Sequence, residues 1–185
     1  MVWRWSYYIA YHDYEWGKPL YDEQKLFELL VLESMQAGLS WITILKKRDN
    51  FRRAFDNFEI AKVATYDEAK VEELLLDSSI IRNRLKLTAA INNAQQVLRI
   101  QQEFGSFSAY IWSFVDNQPI VNSFHNEEEI PANTELSDFM TKEMKKQGFK
   151  FIGTTIIYSF MQAVGMVNDH VTNCFRYREL TESQN

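Results

Sequence analysis

The chain has 185 residues, of which 46% are hydrophobic and 24% are charged, a composition typical of a soluble globular protein with one core. Its single cysteine excludes an intramolecular disulfide and favours a reducing compartment, and no apolar run reaches the roughly 18 residues of a membrane-spanning helix. The net charge of −5 excludes a globally basic nucleic-acid-binding protein, because like charges repel. We expect a cytoplasmic protein that has no membrane partner and acts as a monomer.

Helical periodicity runs through most of the chain, and no segment shows the alternation of a strand. There are only six Gly and three Pro, and we find no repeat, linker or change of composition. We therefore predict an all-α fold in a single compact domain over residues 1–180, with residues 181–185 as a disordered tail. The predicted helices cover residues 22–37, 40–55, 60–65, 67–76, 84–104, 107–115, 135–147, 154–164 and 168–177, with an irregular segment at 117–131.

An aromatic-rich cluster lies near the amino terminus. Aromatic residues make up 15% of the chain, more than packing alone usually needs. The cluster either covers the edge of the core or forms the wall of a pocket for a planar ligand, and a cationic ligand would gain cation–π attraction there. Its members are Tyr7, Tyr8, Tyr11, His12, Asp13, Tyr14 and Trp16.

A carboxylate interrupts the apolar face of the first predicted helix. At about 100° per residue Glu33 falls in the middle of this face, whereas Gln24, Lys25 and Glu28 lie opposite. A buried carboxylate costs several kcal/mol unless it has a partner. Glu33 is therefore either a structural ion pair with a Lys or Arg of a neighbouring helix or a functional residue. The other members of its face are Leu26, Leu29, Leu30 and Ala37.

A sharp turn follows this helix at residues 36–41. Gly38 provides the conformational freedom that the turn requires, and Ser40 is placed to cap the next helix. Leu39 lies at the tip, where its side chain either tucks under the loop or projects outward. A projecting leucine would suit a wedge between base pairs.

Two short basic runs stand out against the negative net charge. Each is either a solvated helix face or a local patch for a polyanion, and DNA binding requires a basic face rather than a basic protein. The runs consist of Lys46, Lys47 and Arg48, and of Arg82, Arg84 and Lys86.

Four separated blocks together resemble the 3-methyladenine DNA glycosylase I family, in the same order and with similar spacing. The resemblance extends from about Tyr7 to Cys174 and implies a two-lobed helix-hairpin-helix DNA glycosylase fold, with the base pocket between the lobes. It implies monofunctional hydrolysis of 3-methyladenine from alkylated double-stranded DNA by base flipping, without a lysine Schiff base. The blocks are residues 8–17 (YIAYHDYEWG), 32–41 (LESMQAGLSW), 148–155 (GFKFIGTT) and 158–163 (YSFMQA), extended by 167–170 (VNDH).

The resemblance also implies roles for individual residues. Glu33 would accept a hydrogen bond from the exocyclic amine of adenine, and a guanine lesion presents an oxygen there that an ionised Glu33 would repel. The family's early pocket tryptophan corresponds to Trp3 or Trp5. The superfamily often uses an Asp to stabilise the sugar cation, and we find no equivalent. The residues expected to stack around the base are Tyr8, Tyr11, Trp16 and Trp41.

Leu39 would fill the space that the flipped base leaves. The implied hairpin, residues 78–83, would bind a DNA phosphate through its backbone N–H groups and the following helix N-terminus. This hairpin lacks the Gly that many such hairpins carry. The expected DNA-binding residues are Gln36, Gly38, Leu39, Ile80, Arg82, Arg84 and Lys86.

His170 and Cys174 are four residues apart in a predicted helix, a spacing that allows both to bind one metal ion. The resemblance implies a structural zinc closed by a histidine that matches His12 and by an amino-terminal Cys that this sequence lacks. Two interpretations stay open: a zinc site with three protein ligands and water, or ordinary buried side chains. No organic cofactor is implied.

Two other function classes remain. The chain could be a non-catalytic module that binds damaged bases or DNA on the same fold. It could instead be a helical protein-interaction domain with an aromatic groove, in which Glu33 pairs with a basic residue of the core. Release of 3-methyladenine from methylated DNA separates these readings from a glycosylase.

Overall fold

A computed structural model describes the backbone of residues 2–182 and the side chains of residues 6–182. Within this range the chain is mostly helical and forms one compact domain, so the all-α prediction is confirmed. No helix of this part of the chain is both long enough and apolar enough to cross a bilayer. The helices are α1 (Val2–Tyr14), α2 (Glu23–Gln36), α3 (Trp41–Ala54), α4 (Ile60–Val63), α5 (Glu68–Leu76), α6 (Arg84–Phe104), α7 (Phe107–Ser113), α8 (Glu135–Lys146), α9 (Thr154–Ala163) and α10 (Phe175–Glu182).

Helix α2 is the centre of the fold. It packs against α3, α6, α7 and α9, and every residue from Leu26 to Met35 is buried. Of the three residues that we expected opposite the apolar face, Gln24 and Lys25 are exposed, whereas Glu28 is buried. Glu28 is 5% exposed, and its carboxylate accepts hydrogen bonds from Arg48 at 2.6 Å and Arg52 at 3.0 Å. Two guanidinium groups from α3 make this burial tolerable.

The boundaries of α2 follow from local chemistry. The Asp22 side chain accepts a hydrogen bond from the backbone N–H of Lys25 at 2.9 Å, as expected of an N-cap. At the other end the chain turns at Gly38, which has a φ of +80°. Ser40 stands at the N-cap position of α3, but its hydroxyl pairs with the Thr43 hydroxyl at 2.8 Å instead of a backbone N–H.

Helix α1 was missed by the sequence reading, which treated these residues only as an aromatic cluster. Its contacts with α3 stabilise it, and such long-range packing is not visible in a local pattern. The side chains of Trp3 and Trp5, either of which could complete the pocket, lie outside the described residues.

The carboxyl-terminal region also differs from the prediction. A parallel pair of two-residue strands, β1 (Ile120–Val121) and β2 (Val167–Asn168), ties the irregular segment to the end of α9. Residues 169–174 form a loop rather than a helix, because β2 and the turn after it take up the segment predicted as helical. Helix α10 begins at Phe175 and continues to Glu182, two residues past the end that we set for the domain. Residues 183–185 lie outside the described residues.

The close approach of two loops predicts a stability difference between two glycines. A Cβ on Gly165 (φ +75°) would lie 2.4 Å from the backbone carbon of Lys18, whereas a Cβ on Gly38 (φ +80°) meets no atom within 4 Å. Gly38→Ala should cost only the backbone strain of about 1–2 kcal/mol, and Gly165→Ala should cost about 2–5 kcal/mol. Urea denaturation measures both free energies of unfolding. Equal losses would contradict the tight approach.

Candidate functional site

A cavity of about 460 Å³ opens between the helices α1, α2 and α3 on one side and α9 and two loops on the other. This volume lies in the range of sites for small molecules. The structure thus brings together the catalytic and the base-stacking residues expected from the sequence, which come from α1, the turn after it, α2 and α3. The residues of that prediction in its wall are Tyr8, Tyr11, Trp16, Glu33, Gln36 and Trp41.

Glu33 lies in this wall with 5% of its surface exposed. Its carboxyl group has no hydrogen bond and no ion pair with any side chain of residues 6–182, so the structural ion pair is not found there. Burial raises the pKa of Glu33 to about 8. The group is therefore largely protonated at pH 7 while the cavity holds no cation.

The aromatic side chains differ in their exposure. Tyr11 and Trp41 are buried, with ring centroids 5.3 Å apart and planes inclined at 56°. Trp16 packs edge-on against the His170 ring at 4.6 Å, and Tyr8 is about half exposed at the mouth of the cavity. Burial raises the pKa of the Tyr11 hydroxyl well above its ordinary value, and the nearby Glu33 raises it further. The cavity therefore offers several ring faces and edges to a flat guest.

Leu39 projects outward from the turn between α2 and α3. Its side chain is 41% exposed, which decides between the two orientations that the sequence left open. A smaller cavity of about 190 Å³ lies beside this turn. Glu33, Gln36 and Ser159 line both cavities, so the turn and the larger cavity are neighbours.

The hairpin residues expected to bind DNA are not equivalent. Arg82 is exposed and has no ion-pair partner in the described part of the chain, whereas Arg84 is paired with Glu68 and Glu72. Ile80 is buried, so its side chain anchors the hairpin to the core and does not face a ligand.

Lys86 does not fit the DNA-facing role that we expected. Its side chain is buried, and its Nζ donates hydrogen bonds to the carbonyl oxygens of Met35 at 2.8 Å and Ala37 at 2.6 Å. Burial lowers the pKa of Lys86. The periodicity of one helix cannot show this, because the two carbonyls belong to a segment some fifty positions earlier in the chain.

In the basic run Lys46–Arg48, two of the three side chains are bonded within the protein. Arg48 binds Glu28 and Glu15, and the Lys47 Nζ donates a hydrogen bond to the carbonyl of Ser79 at 2.9 Å. Lys46 is exposed. One residue of each basic run, Lys46 or Arg82, therefore remains open to a polyanion.

The three predicted metal ligands lie together, although they are not on one helix. The Cys174 sulfur is 3.6 Å from His12 Nε2 and 3.6 Å from His170 Nδ1. Sulfur and nitrogen ligands at about 2.3 and 2.0 Å from a tetrahedral zinc stand about 3.6 Å apart, so the two sulfur–nitrogen distances fit the ion, and the three ligand atoms together lie within 4.8 Å of one another. Burial lowers the pKa of His170 to about 4, which keeps the ring neutral at pH 7.

Both histidines also have the outer contacts that are usual for metal ligands. His170 Nε2 lies 3.0 Å from the carbonyl oxygen of Trp16, and His12 Nδ1 lies 2.7 Å from an Asp13 carboxylate oxygen. Each contact leaves the other ring nitrogen facing the sulfur. The residues present therefore suit zinc, with three protein ligands.

Sequence reasoning missed several other residues of the cavity wall. Asp169 is 1% exposed and accepts hydrogen bonds from Asn122 (2.6 Å), Tyr158 (2.7 Å) and Gln162 (2.8 Å). Three donors satisfy this carboxylate, in contrast to Glu33. The signal that could have found Asp169 is its position in a short polar run directly before a predicted metal ligand.

The raised pKa of Glu33 predicts that stability depends on pH. The folded protein holds a proton that the unfolded chain, with a pKa of 4.5, releases, so stability falls as the pH rises from 4.5 through about 8. Glu33→Gln abolishes this loss. The stabilisation of Glu33→Gln relative to wild type should grow by roughly 4 kcal/mol between pH 5 and pH 9, measured by urea denaturation.

Glu28→Gln is the matched control, because Glu28 is equally buried on the same helix but is paired with two arginines. This variant should be destabilised at both pH values by about 3 kcal/mol or more. A Glu33→Gln effect that is independent of pH would contradict a protonated Glu33.

Comparisons with known proteins agree with this site. The family model described as methyladenine glycosylase matches residues 3–177. The chain is 54% identical over 170 residues to DNA-3-methyladenine glycosylase 1 of Escherichia coli (strain K12), over 92% of this chain and 91% of that protein. It is 47% identical over 169 residues to the DNA-3-methyladenine glycosylase of Haemophilus influenzae, over 91% of each. A crystal structure of a variant of 3-methyladenine DNA glycosylase I in complex with 3-methyladenine matches with a TM-score of 0.90 at 39% identity, over 91% of each chain. The chain therefore belongs to the methyladenine glycosylase family.

Proposed function

We propose that this protein excises 3-methyladenine from alkylated double-stranded DNA by monofunctional hydrolysis of the N-glycosidic bond, as a step of base-excision repair. The observation that carries the proposal is the buried Glu33, which has no partner among the side chains of residues 6–182 and lies in a cavity lined by several aromatic rings. Relatives named as DNA-3-methyladenine glycosylases, and a solved relative in complex with 3-methyladenine, support it. We propose a monomer as the active form.

The chemistry of the lesion explains why such a site suffices. Alkylation at N3 gives the base a positive charge and weakens its bond to the sugar, so no strong general acid is needed. When the bond breaks, its electron pair neutralises the base, and the sugar takes a positive charge until water adds and loses a proton. The protein must expose the base, hold it and exclude competitors.

The aromatic wall favours the charged base over normal ones. Tyr11, Trp16 and Trp41 present ring faces or edges, and stacking of a base is worth about 1–3 kcal/mol for each good contact. A cationic ring gains additional attraction from the negative faces of these rings. A normal, neutral adenine lacks that gain, and flipping it also costs the full free energy of breaking an intact base pair.

Glu33 adds a response to the charge itself. Entry of a cation lowers the pKa of a carboxyl group beside it, so the binding of the lesion base and the ionisation of Glu33 favour each other. The ionised form accepts a hydrogen bond from the exocyclic amine of adenine. A guanine lesion presents a carbonyl oxygen at this position, which a carboxylate repels. Selectivity for adenine thus depends on the state that the cation induces.

Two surface features are suited to the duplex. The projecting Leu39 would fill the gap that the flipped base leaves. The segment 78–83 would act as the hairpin of a helix-hairpin-helix motif, because the backbone N–H groups of Ile81 and Arg82 have no acceptor in the described part of the chain and α6 begins directly after them. Lys46 and Arg82 supply the exposed positive charge.

Excision itself tests the proposed function. Wild-type protein should release 3-methyladenine from alkylated duplex DNA much faster than 7-methylguanine, measured by chromatography of the free bases. Glu33→Gln should reduce the rate of 3-methyladenine release by about 10²-fold, because the induced charge is lost. Glu73→Gln, an exposed residue of α5, is the control and should excise at the wild-type rate. Unchanged excision by Glu33→Gln, or none by the wild type, would overturn the proposal.

We also propose that His12, His170 and Cys174 bind zinc, with water completing a four-coordinate shell. The ion would fasten α1 to the loop after β2, on which Asp169 and His170 line the cavity. Its role would be structural, because none of the catalytic steps above needs it.

Metal analysis tests the zinc site. Purified wild-type protein should contain about one zinc per chain, and a chelator should lower its melting temperature by several degrees. Cys174→Ser should lose the metal and the chelator response together, whereas His125→Ala, an exposed histidine outside the cluster, should keep both. A metal-free wild-type protein with no response to the chelator would refute the site.

A further inference from the structure

Lys86 is a buried cation that the catalytic cavity does not use. It lies in the first turn of α6, directly after the hairpin, with 6% of its surface exposed. No carboxylate pairs with it among residues 6–182. Its partners are instead the carbonyl oxygens of Met35 (2.8 Å) and Ala37 (2.6 Å), and its Nζ is 5.7 Å from the centre of the Phe151 ring.

These two carbonyls mark the end of α2. The last carbonyls of a helix lack partners within the helix and carry partial negative charge, so an ammonium group satisfies both needs. Directly beyond them the chain turns at Gly38 and presents Leu39. The Lys86 side chain from α6 therefore holds the junction between the end of α2 and the turn that carries Leu39.

A second lysine makes the reciprocal connection. The Lys47 Nζ donates hydrogen bonds to the carbonyl oxygens of Ser79 (2.9 Å) and Ser78 (3.3 Å), and the Asn50 side chain also binds the Ser79 carbonyl at 3.2 Å. Lys47 and Asn50 belong to α3, the helix that begins two residues after Leu39. The turn is thus held by the helix after the hairpin, and the hairpin is held by the helix after the turn.

We propose that Lys86 is a positioning residue that holds the turn 37–39 in register with the hairpin, so that a DNA phosphate seated on the hairpin aligns Leu39 with the base pair to be opened. The proposal rests on the proposed function. In this proposal Lys86 affects the insertion of Leu39 into the duplex but does not affect the affinity of the cavity for a free base. Insertion into the duplex and binding of the free base can be measured separately.

Binding to two duplexes tests this assignment. One carries a tetrahydrofuran abasic analogue, whose gap Leu39 can fill, and the other is undamaged. Lys86→Met keeps the length of the side chain but loses its donors, and it should lower the preference for the abasic duplex by about tenfold while binding the undamaged duplex within about twofold of wild type. Arg82→Met should weaken both complexes equally and reduce the salt dependence.

A double-mutant cycle tests whether Lys86 acts through Leu39. If it does, Lys86→Met combined with Leu39→Ala should show no greater loss of preference than Leu39→Ala alone. Lys86→Arg, which keeps N–H donors, should recover most of the preference. Binding of free 3-methyladenine, followed by tryptophan fluorescence, should match wild type in Lys86→Met. Additive losses, or an unchanged preference for the abasic duplex, would overturn the proposal.

Two further measurements keep the outcome unambiguous. Thermal unfolding by circular dichroism checks that each variant is folded, and if Lys86→Met is not, Lys86→Leu, which also lacks a donor, takes its place in the same cycle with the same required result. Failure of the proposed function would appear differently, as a wild-type protein that neither excises nor binds 3-methyladenine. In that case a preference for the abasic duplex that still depends on Lys86 would leave the positioning role intact.

Discussion

The structure depends on the cost of burying one carboxyl group, that of Glu33, which has no partner among the described side chains. Glu28 and Glu33 of helix α2 are equally buried, and among residues 6–182 only Glu28 is paired with arginines. Glu33 instead takes up a proton, which removes most of the free-energy cost of burying a charged carboxylate and leaves the cavity open. The surrounding helices must supply enough apolar contact to hold α2 in place around this defect. A protein selected for stability alone would have an apolar residue there.

The burial of Glu33 and the aromatic wall of the cavity both favour a cationic base. The rings and the neighbouring helices bury the Glu33 carboxyl, and this burial raises its pKa, so that the group ionises readily only when a cation arrives. The positive charge on a damaged base is then attracted both by the faces of the rings and by the ionised Glu33. Discrimination against intact bases follows from an electrostatic difference, without a tight steric fit to a methyl group.

Much of this site could be predicted from the sequence, because its main signals are local. Glu33 interrupts an apolar stripe, and Gly38 followed by Leu39 marks a turn. Lys86 and Asp169 could not be assigned, since a lysine or aspartate reads as solvent-exposed until its distant partners are known. The start of the helix predicted at 168–177 was wrong for a similar reason: Asn168 pairs with a remote strand, which overrides local propensity, and only residues 175–177 of the prediction are helical. Sequence spacing describes one helix well, but it does not show what packs against it.

The cavity is closed by the two ends of the chain. Tyr8 and Tyr11 come from its first helix, while Asp169, His170 and Val171 come from the loop before its last. Trp16 and His170, which contact each other in this wall, are 154 positions apart, and contacts of such long sequence separation form late in folding. A folding intermediate that lacks these contacts would have no closed chamber for a flipped base, so base binding would begin only once the last tertiary contacts are made.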